Sequence, residues 1–384
     1  MRSLNLICAL IFSMAITGCQ ADTNEQSQND LLAQHGSANG LGASLRVESS
    51  MPIDYAKQFR VEYLNDGFKL FTIKDRGQFL LVPENQSIPS DLDENISILQ
   101  APIDNMFIAS TTSGSSVNSL KEIDRFKYTS NEAEDWYIED IKKTMVEERL
   151  TYVGHHKEPD FEILAREQPD VSIFTAMIDS TPEVMAKLKE LDIPVIVERS
   201  HAEEHPLGRS EWIKFYGAMF NVEDKAEEIF NKEVEYVNNL PEIKETKESV
   251  AIFHITSSGN LYVRNGSDYL VKMAELAGAE YILKDINPEE TSIAKIDFET
   301  FYSKASEADN IIYIWSSGGK PADIEELVKK NELLENFKAI KTGSVYCTTA
   351  DFFQLGDSLG KVMKDMSTAF YGNSDDMQYL FKLD

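Results

Sequence analysis

Apolar positions follow two regimes along this chain. In the first, Gln58–Tyr63, Phe68–Ile73 and Gln78–Val82 alternate apolar with polar residues, and Asn65-Asp66-Gly67 and Asp75-Arg76-Gly77 sit between them as turns. This predicts a small antiparallel meander. From Met106 onward, short apolar runs are separated by stretches of helical spacing. Met106–Ala109, Thr151–Gly154, Val171–Phe174 and Pro194–Val197 read as strands, with helices at Val117–Glu122, Tyr137–Leu150, Phe161–Glu167 and Pro182–Leu191. The alternation restarts later, with strands at Val250–Ile255, Ile311–Trp315 and Ser344–Cys347 and helices at Asp268–Ala277, Asp297–Ala305, Ile324–Lys330, Asn331–Asn336 and Leu359–Phe370. Short strands between helices imply βα units and a mainly parallel sheet. Between the two series lie Trp212–Phe220 and Glu223–Asn239, with Ala226, Ile229, Phe230, Val234 and Val237 as one apolar stripe and Pro241 as the stop. The chain therefore reads as two α/β lobes, residues 46–209 and 241–384, joined by helix over 210–240.

The N-terminus has a different pattern. Arg2 precedes an apolar run from Leu4 to Ile16, too short to span a bilayer by itself, so residues 1–18 read as a secretory signal. Its ending, Ile16-Thr17-Gly18-Cys19, resembles the lipobox of bacterial lipoproteins, which implies acylation of Cys19 and attachment to a lipid bilayer. Residues 19–45 are polar and poor in large apolar groups, the composition of a flexible tether, with order expected from about Arg46. No second long apolar segment follows Cys19, so the body is expected outside the membrane.

Removal of residues 1–18 leaves 366 of the 384 residues, enough for two domains. Of the three cysteines, Cys8 leaves with the signal and Cys19 is the acylated one, so Cys347 has no partner for an intrachain disulfide. A structural zinc site built from several thiolates is excluded on the same count. The net charge of −28 argues against nucleic acid as a partner and against a basic membrane-binding patch.

The two series echo each other. Asp160-Phe161-Glu162 opens a helix and Pro169-Asp170 leads into a strand; Asp297-Phe298-Glu299 opens a helix and Ala308-Asp309 leads into a strand. The order of several short motifs then resembles a known family. Val153-Gly154, Phe161-Glu162, Pro169-Asp170-Val171, Leu191 to Val197, the block His205-Pro206-Leu207-Gly208-Arg209-Ser210-Glu211-Trp212-Ile213-Lys214-Phe215, and Ala277-Gly278-Ala279-Glu280-Tyr281 are similar to stretches of the substrate-binding lipoproteins of ABC importers for iron chelates and cobalamin. The resemblance covers roughly residues 50–375. It implies two Rossmann-like lobes joined by a single long helix, the class III periplasmic-binding-protein-like fold. It implies a metal chelate (corrinoid, ferric siderophore or haem) held between the lobes, no cofactor of the protein's own, and delivery to an ABC permease dimer with its ATPase. It also implies an extracytoplasmic location and a docking glutamate on each lobe, Glu162 and Glu299. A first-turn glutamate suits that role, being exposed and stabilised by the helix dipole.

Ligand contacts are expected on loops at the carboxyl ends of strands. The candidates are Thr111, His155, His156, His205, Arg209 and Trp212 from the first half, and Ser257, Tyr262, Arg264, Trp315 and Phe352 from the second. Hydroxyls and backbone turns offer hydrogen bonds, guanidinium groups hold carboxylates, indole and phenyl rings stack on flat ligands, and imidazole binds metal. Each has a plainer alternative: a helix cap for Thr111 or its neighbours, an exposed loop for the histidines, and core packing for the aromatics. A bare zinc or manganese receptor is the nearby rival, using His155, His205 and Glu299, but no HxH or HExxH spacing supports it. A surface structural or adhesion lipoprotein is the third class. Catalysis is not expected, because Gly-x-Ser-x-Gly and P-loop motifs are missing.

Overall fold

The alternating segment forms a five-stranded sheet: β1 (Val47–Ser50), β2 (Phe59–Leu64), β3 (Lys69–Ile73), β4 (Gly77–Val82) and β5 (Ile96–Gln100), in that spatial order. Strands β1 to β4 pair antiparallel, and β5 joins β4 in parallel. The β3–β4 turn needs a left-handed residue, and Gly77 supplies it at φ +113°. The computed structural model describes residues 40–241, 247–315, 318–372 and 376–384. The signal, Cys19 and the tether up to residue 39 lie outside the described residues. Packing starts ahead of Arg46: the Ala43 amide donates to Asp91, and Leu45 is buried against Leu64, Phe68 and Leu80.

The second sheet holds β6 (Met106–Ile108), β7 (Phe126–Thr129), β8 (Thr151–Tyr152), β9 (Val171–Thr175) and β10 (Val195–Glu198) in the order β10-β9-β6-β7-β8, all parallel. The third holds β11 (Ser249–Ile255), β12 (Leu261–Arg264), β13 (Glu280–Tyr281), β14 (Ile293–Ile296), β15 (Asn310–Tyr313), β16 (Val345–Thr348) and β17 (Leu380–Lys382). Its order is β14-β12-β11-β15-β16-β17, with β13 also on β11. This sheet is mixed rather than mainly parallel: β12, β14 and β17 enter antiparallel. The helices pack on the sheet faces, as the α/β pattern requires.

The echoed motifs have matching jobs. Asp160 and Asp297 each cap a helix, accepting from Ile163 N at 3.0 Å and Thr300 N at 2.7 Å. Asp170, ahead of β9, accepts from the amides of Asp104 and Asn105, which lead into the adjacent β6. Asp309, ahead of β15, accepts from Ser249 N at the start of the adjacent β11. In both lobes, an aspartate thus ties the entry of one parallel strand to its neighbour.

The connector is not one long helix. It is two, Pro206–Phe220 and Glu223–Asn238, broken at Asn221, whose φ of 59° is left-handed. Gly217 allows the second helix to fold back closely, since a Cβ there would lie 2.5 Å from that of Ala226. The first helix is buried along almost its whole length. Such a helix is apolar all round except where a buried polar group has a defined partner.

Those partners come from the loop between β1 and β2 of the first sheet. Glu211, fully buried, accepts from the backbone amides of Asp54, Tyr55 and Ala56 at 2.9, 2.8 and 2.8 Å. Its other contact is Lys214 Nζ at 3.0 Å. Glu203 takes the next two amides, Lys57 at 2.7 Å and Gln58 at 3.0 Å, and the Trp212 indole N–H at 2.9 Å. At the opposite end of the same helix, Lys69 on β3 donates to the Ala218 carbonyl (2.8 Å) and pairs with Glu223 (2.5 Å). Phe59 and Phe71 pack on Trp212 and Phe215 between these points. Truncating Glu211 orphans three amides and leaves buried Lys214 with the Pro52 carbonyl but no carboxylate. Glu211→Ala is expected to lower the unfolding free energy by about 3–5 kcal/mol in urea denaturation; a loss below about 1 kcal/mol, the range of an exposed pair, would contradict the clasp.

Candidate functional site

A cavity of about 490 Å³ opens between the lobes. The loop after β10 and the start of the connector contribute His201, Glu203, Glu204 and Arg209; the second lobe contributes Arg264, Asp268, Tyr269 and Lys272. A larger cavity of about 830 Å³ lies on the second lobe beside Asn260, Phe298, Glu299 and Glu332. It is lined by one lobe alone, so the smaller interlobe cavity is the better candidate for a clasped ligand.

Arg209 lines the interlobe cavity. Its guanidinium lies over the Tyr269 ring at 3.7 Å and donates to the His201 carbonyl at 2.7 Å. Its Nε is buried without a hydrogen-bond partner. Burial pulls its pKa down from the usual arginine value. Arg264 approaches Asp268 at 4.0 Å and lies 5.4 Å from the centre of the Phe353 ring. Asp268 caps the helix Tyr269–Leu276 through Leu270 N and also accepts from Ser292 N. Lys272 reaches across the cleft to the Glu204 carbonyl at 3.0 Å. At the far end of the cleft, Tyr137 of the first lobe and Trp315 of the second have ring centres 6.2 Å apart. Gln354, one residue past Phe353, bridges there, accepting from Tyr137 N and donating to the Asp135 carbonyl.

The structure thus brings Arg209 and Arg264 into one cavity, with Tyr262 two residues along the same strand face as Arg264. Tyr262 stacks on His254 at 5.2 Å, and burial followed by the charge of Arg264 lowers the His254 pKa to about 4, so this imidazole is neutral near pH 7. Several other candidates lie elsewhere. Trp212 is 2% exposed and donates to Glu203 within the core. Phe352 is 3% exposed and faces inward; its neighbour Phe353, 43% exposed, is the ring on the cleft side. His205 caps the connector, its Nδ1 accepting from Leu207 N at 3.1 Å, and its ring lies against Tyr55. Ser257 is exposed in the tight Thr256–Asn260 turn between β11 and β12. His155 and His156 lie against each other, 4.0 Å between ring centres. Thr111 is half-buried in the first turn of a helix, Thr111–Ser119, which starts and ends earlier than the expected Val117–Glu122; Ser110 is its cap. Glu162 and Glu299 are both exposed in first turns. Ser316 and Ser317, beside Trp315, lie outside the described residues.

Tyr137, His254 and Tyr269 were not among the candidates. Phe353 and Tyr269 each sit one residue from a position whose role was legible, and only the backbone phase decides which of the pair faces the cleft.

A family model described as periplasmic binding protein matches residues 113–352. The chain belongs to this family. An uncharacterized lipoprotein of Methanocaldococcus jannaschii is 25% identical over 96% of this chain and 92% of its own length. The Fe(3+)-citrate-binding protein of Bacillus subtilis is 23% identical over 56% of this chain and 66% of its own. A periplasmic heme binding protein of Pseudomonas aeruginosa has the same fold, with a TM-score of 0.56, 15% identity, and coverage of 73% of this chain and 98% of that one. The family match begins at residue 113, after the five-stranded sheet β1–β5.

Glu203 offers a pH test. Burial raises its pKa to about 7, against the pull of three N–H donors. The folded state keeps that proton up to about 7, while the unfolded chain releases it near 4.5. Between these pH values, the native state binds the extra proton, so stability falls as pH rises and the fall ends above 7. Glu203→Gln is expected to flatten this part of a stability-against-pH curve measured by urea titration, at some cost in stability at every pH. An unchanged slope would show that Glu203 ionises normally.

Proposed function

We propose that the protein is an extracytoplasmic, lipid-anchored receptor that takes a metal chelate between its lobes and passes it to an ABC permease with its ATPase. The interlobe cavity carries this reading: a half-buried arginine stacked on tyrosine, with residues from both lobes around it. Such a site suits a ligand with both a flat or apolar body and negatively charged oxygens, as in a ferric siderophore, haem or a corrinoid with acidic groups. Family membership supports the receptor role, and a heme-binding neighbour and an Fe(3+)-citrate-binding relative support the ligand class. Acylated Cys19 would hold the receptor at the membrane; the lipoprotein name of the archaeal relative supports this. Among the described residues, no three or more His, Cys, Asp or Glu side chains converge as a bare zinc or manganese site requires. The chelate reading therefore stands ahead of the bare-ion one.

Glu162 and Glu299 take equivalent places on the two lobes, exposed in the first turn of a capped helix. Paired acids so placed suit docking on cationic surfaces of a two-fold permease. Calorimetry against ferric siderophores, haem and cobinamide is expected to find one saturable ligand at one-to-one stoichiometry. Arg209→Gln should weaken it by about tenfold or more, the value of one charge-assisted contact. Reversal of both Glu162 and Glu299 to arginine should leave that affinity intact and abolish uptake in a reconstituted transporter. Undiminished uptake would remove the docking role.

A further inference from the structure

The five-stranded sheet lies outside the family match, yet it reaches the rim of the interlobe cavity at two points. On one side, Lys57 pairs with Glu204 at 3.1 Å, and Glu204 lines the cavity. On the other, the β3–β4 turn stands against the loop that carries His201. Arg76 makes a two-pronged contact with Asp179, at 2.7 and 2.5 Å. Arg199 reaches back to the Lys74 carbonyl at 3.1 Å and to Asp75 at 3.2 Å. His201 feels the charges of Arg209, Arg199 and Arg76 together, and Glu204 those of Lys57, Lys272 and Lys74.

The result is a cationic corner in a chain of net charge −28. Arg209, Arg264 and Lys272 line it beside Glu203, Glu204 and Asp268, and Lys57, Lys74, Arg76 and Arg199 stand around its lip. The nearby acids are engaged: Asp75 with Arg199, Asp179 with Arg76, Glu204 with Lys57, Asp268 with two backbone amides, Glu203 with three N–H donors, and Glu198 with Ser113 and the Ser200 amide. Arg209 and Lys74, by contrast, have no ion-pair partner among the described residues. Arg209 feels the charges of Asp268, Glu198 and Glu203, but no described carboxylate pairs with it directly and its Nε is buried without a partner, which leaves a place for an anionic ligand.

We infer that the N-terminal sheet is a third wall of the ligand site, and that through Lys57, Lys74 and Arg76 it selects a chelate of net negative charge. This rests on the receptor reading and adds to it both the charge class of the ligand and a job for the segment that the family match leaves out. Arg209 meets the anionic oxygens directly. The sheet residues act by field and by holding the lip, which shows in association rate and salt dependence more than in close contacts.

The purified full chain is titrated with ferric citrate, haem and cobinamide, following intrinsic fluorescence at low and high salt. The same titrations are made with Lys57→Glu/Lys74→Glu. Lys74→Glu alone, whose side chain has no hydrogen-bond or ion-pair partner among the described residues, serves should the double variant unfold. Ferric citrate is expected to saturate the wild type. The double variant should bind it about fivefold more weakly, with the difference shrinking at high salt. Unchanged ferric citrate affinity in a folded variant would overturn the role of the sheet. Tighter binding of cationic cobinamide than of ferric citrate would overturn the charge class and leave the receptor standing. Failure of the wild type to bind any of the three would overturn both.

Discussion

Two buried glutamates hold five consecutive backbone amides. Glu211 takes those of residues 54–56, and Glu203 those of 57 and 58. Both carboxylates belong to the segment that leads into and forms the start of the central connector helix, so the clasp joins the first sheet to the element between the lobes. A buried carboxylate is costly unless its lone pairs are filled, and the run of amides in the β1–β2 loop fills them. Lys69 closes the far end of the same helix. The helix is thereby fixed in direction, and Arg209, one turn from its start, is fixed with it.

Much of the α/β plan was legible because it rests on period and punctuation. The helix Phe161–Glu167 stands where its cap and its following proline place it, and the Asp160 and Asp297 caps do the same work in both lobes. What was not legible depends on partners distant in sequence. Short edge and hairpin strands such as Leu261–Arg264 and Ile293–Ile296 carry too few residues for a period and are defined by pairing. The sequence placed helical spacing on both sides of Asn221 and the resemblance implied a single helix; the left-handed Asn221 backbone separates the two.

The site was partly legible for a related reason. Arg209 and Arg264 stood out as cations in an acidic chain, and the cavity unites them. The block from His205 to Phe215 also stood out, but most of it is structural. His205 caps, Glu211 clasps, and Trp212 fills the core while donating to Glu203. Within that block Arg209 alone lines the cavity, on the one side of the helix that is not fully buried. A recognisable block therefore marked a fold device with one binding residue inside it, and burial, unreadable from residue type, separates the two.

The clasp is the claim on which the position of the sheet, the direction of the connector and the placing of Arg209 all depend. Native-state hydrogen exchange of the full chain, read at the amides of residues 54–58, tests it most directly. These amides are expected to exchange only with global unfolding, with the same free energy as the core strands of the second sheet. Exchange by local opening, at a free energy well below that of β6 and β9, would show that the first sheet rides loosely on the connector and would contradict the account.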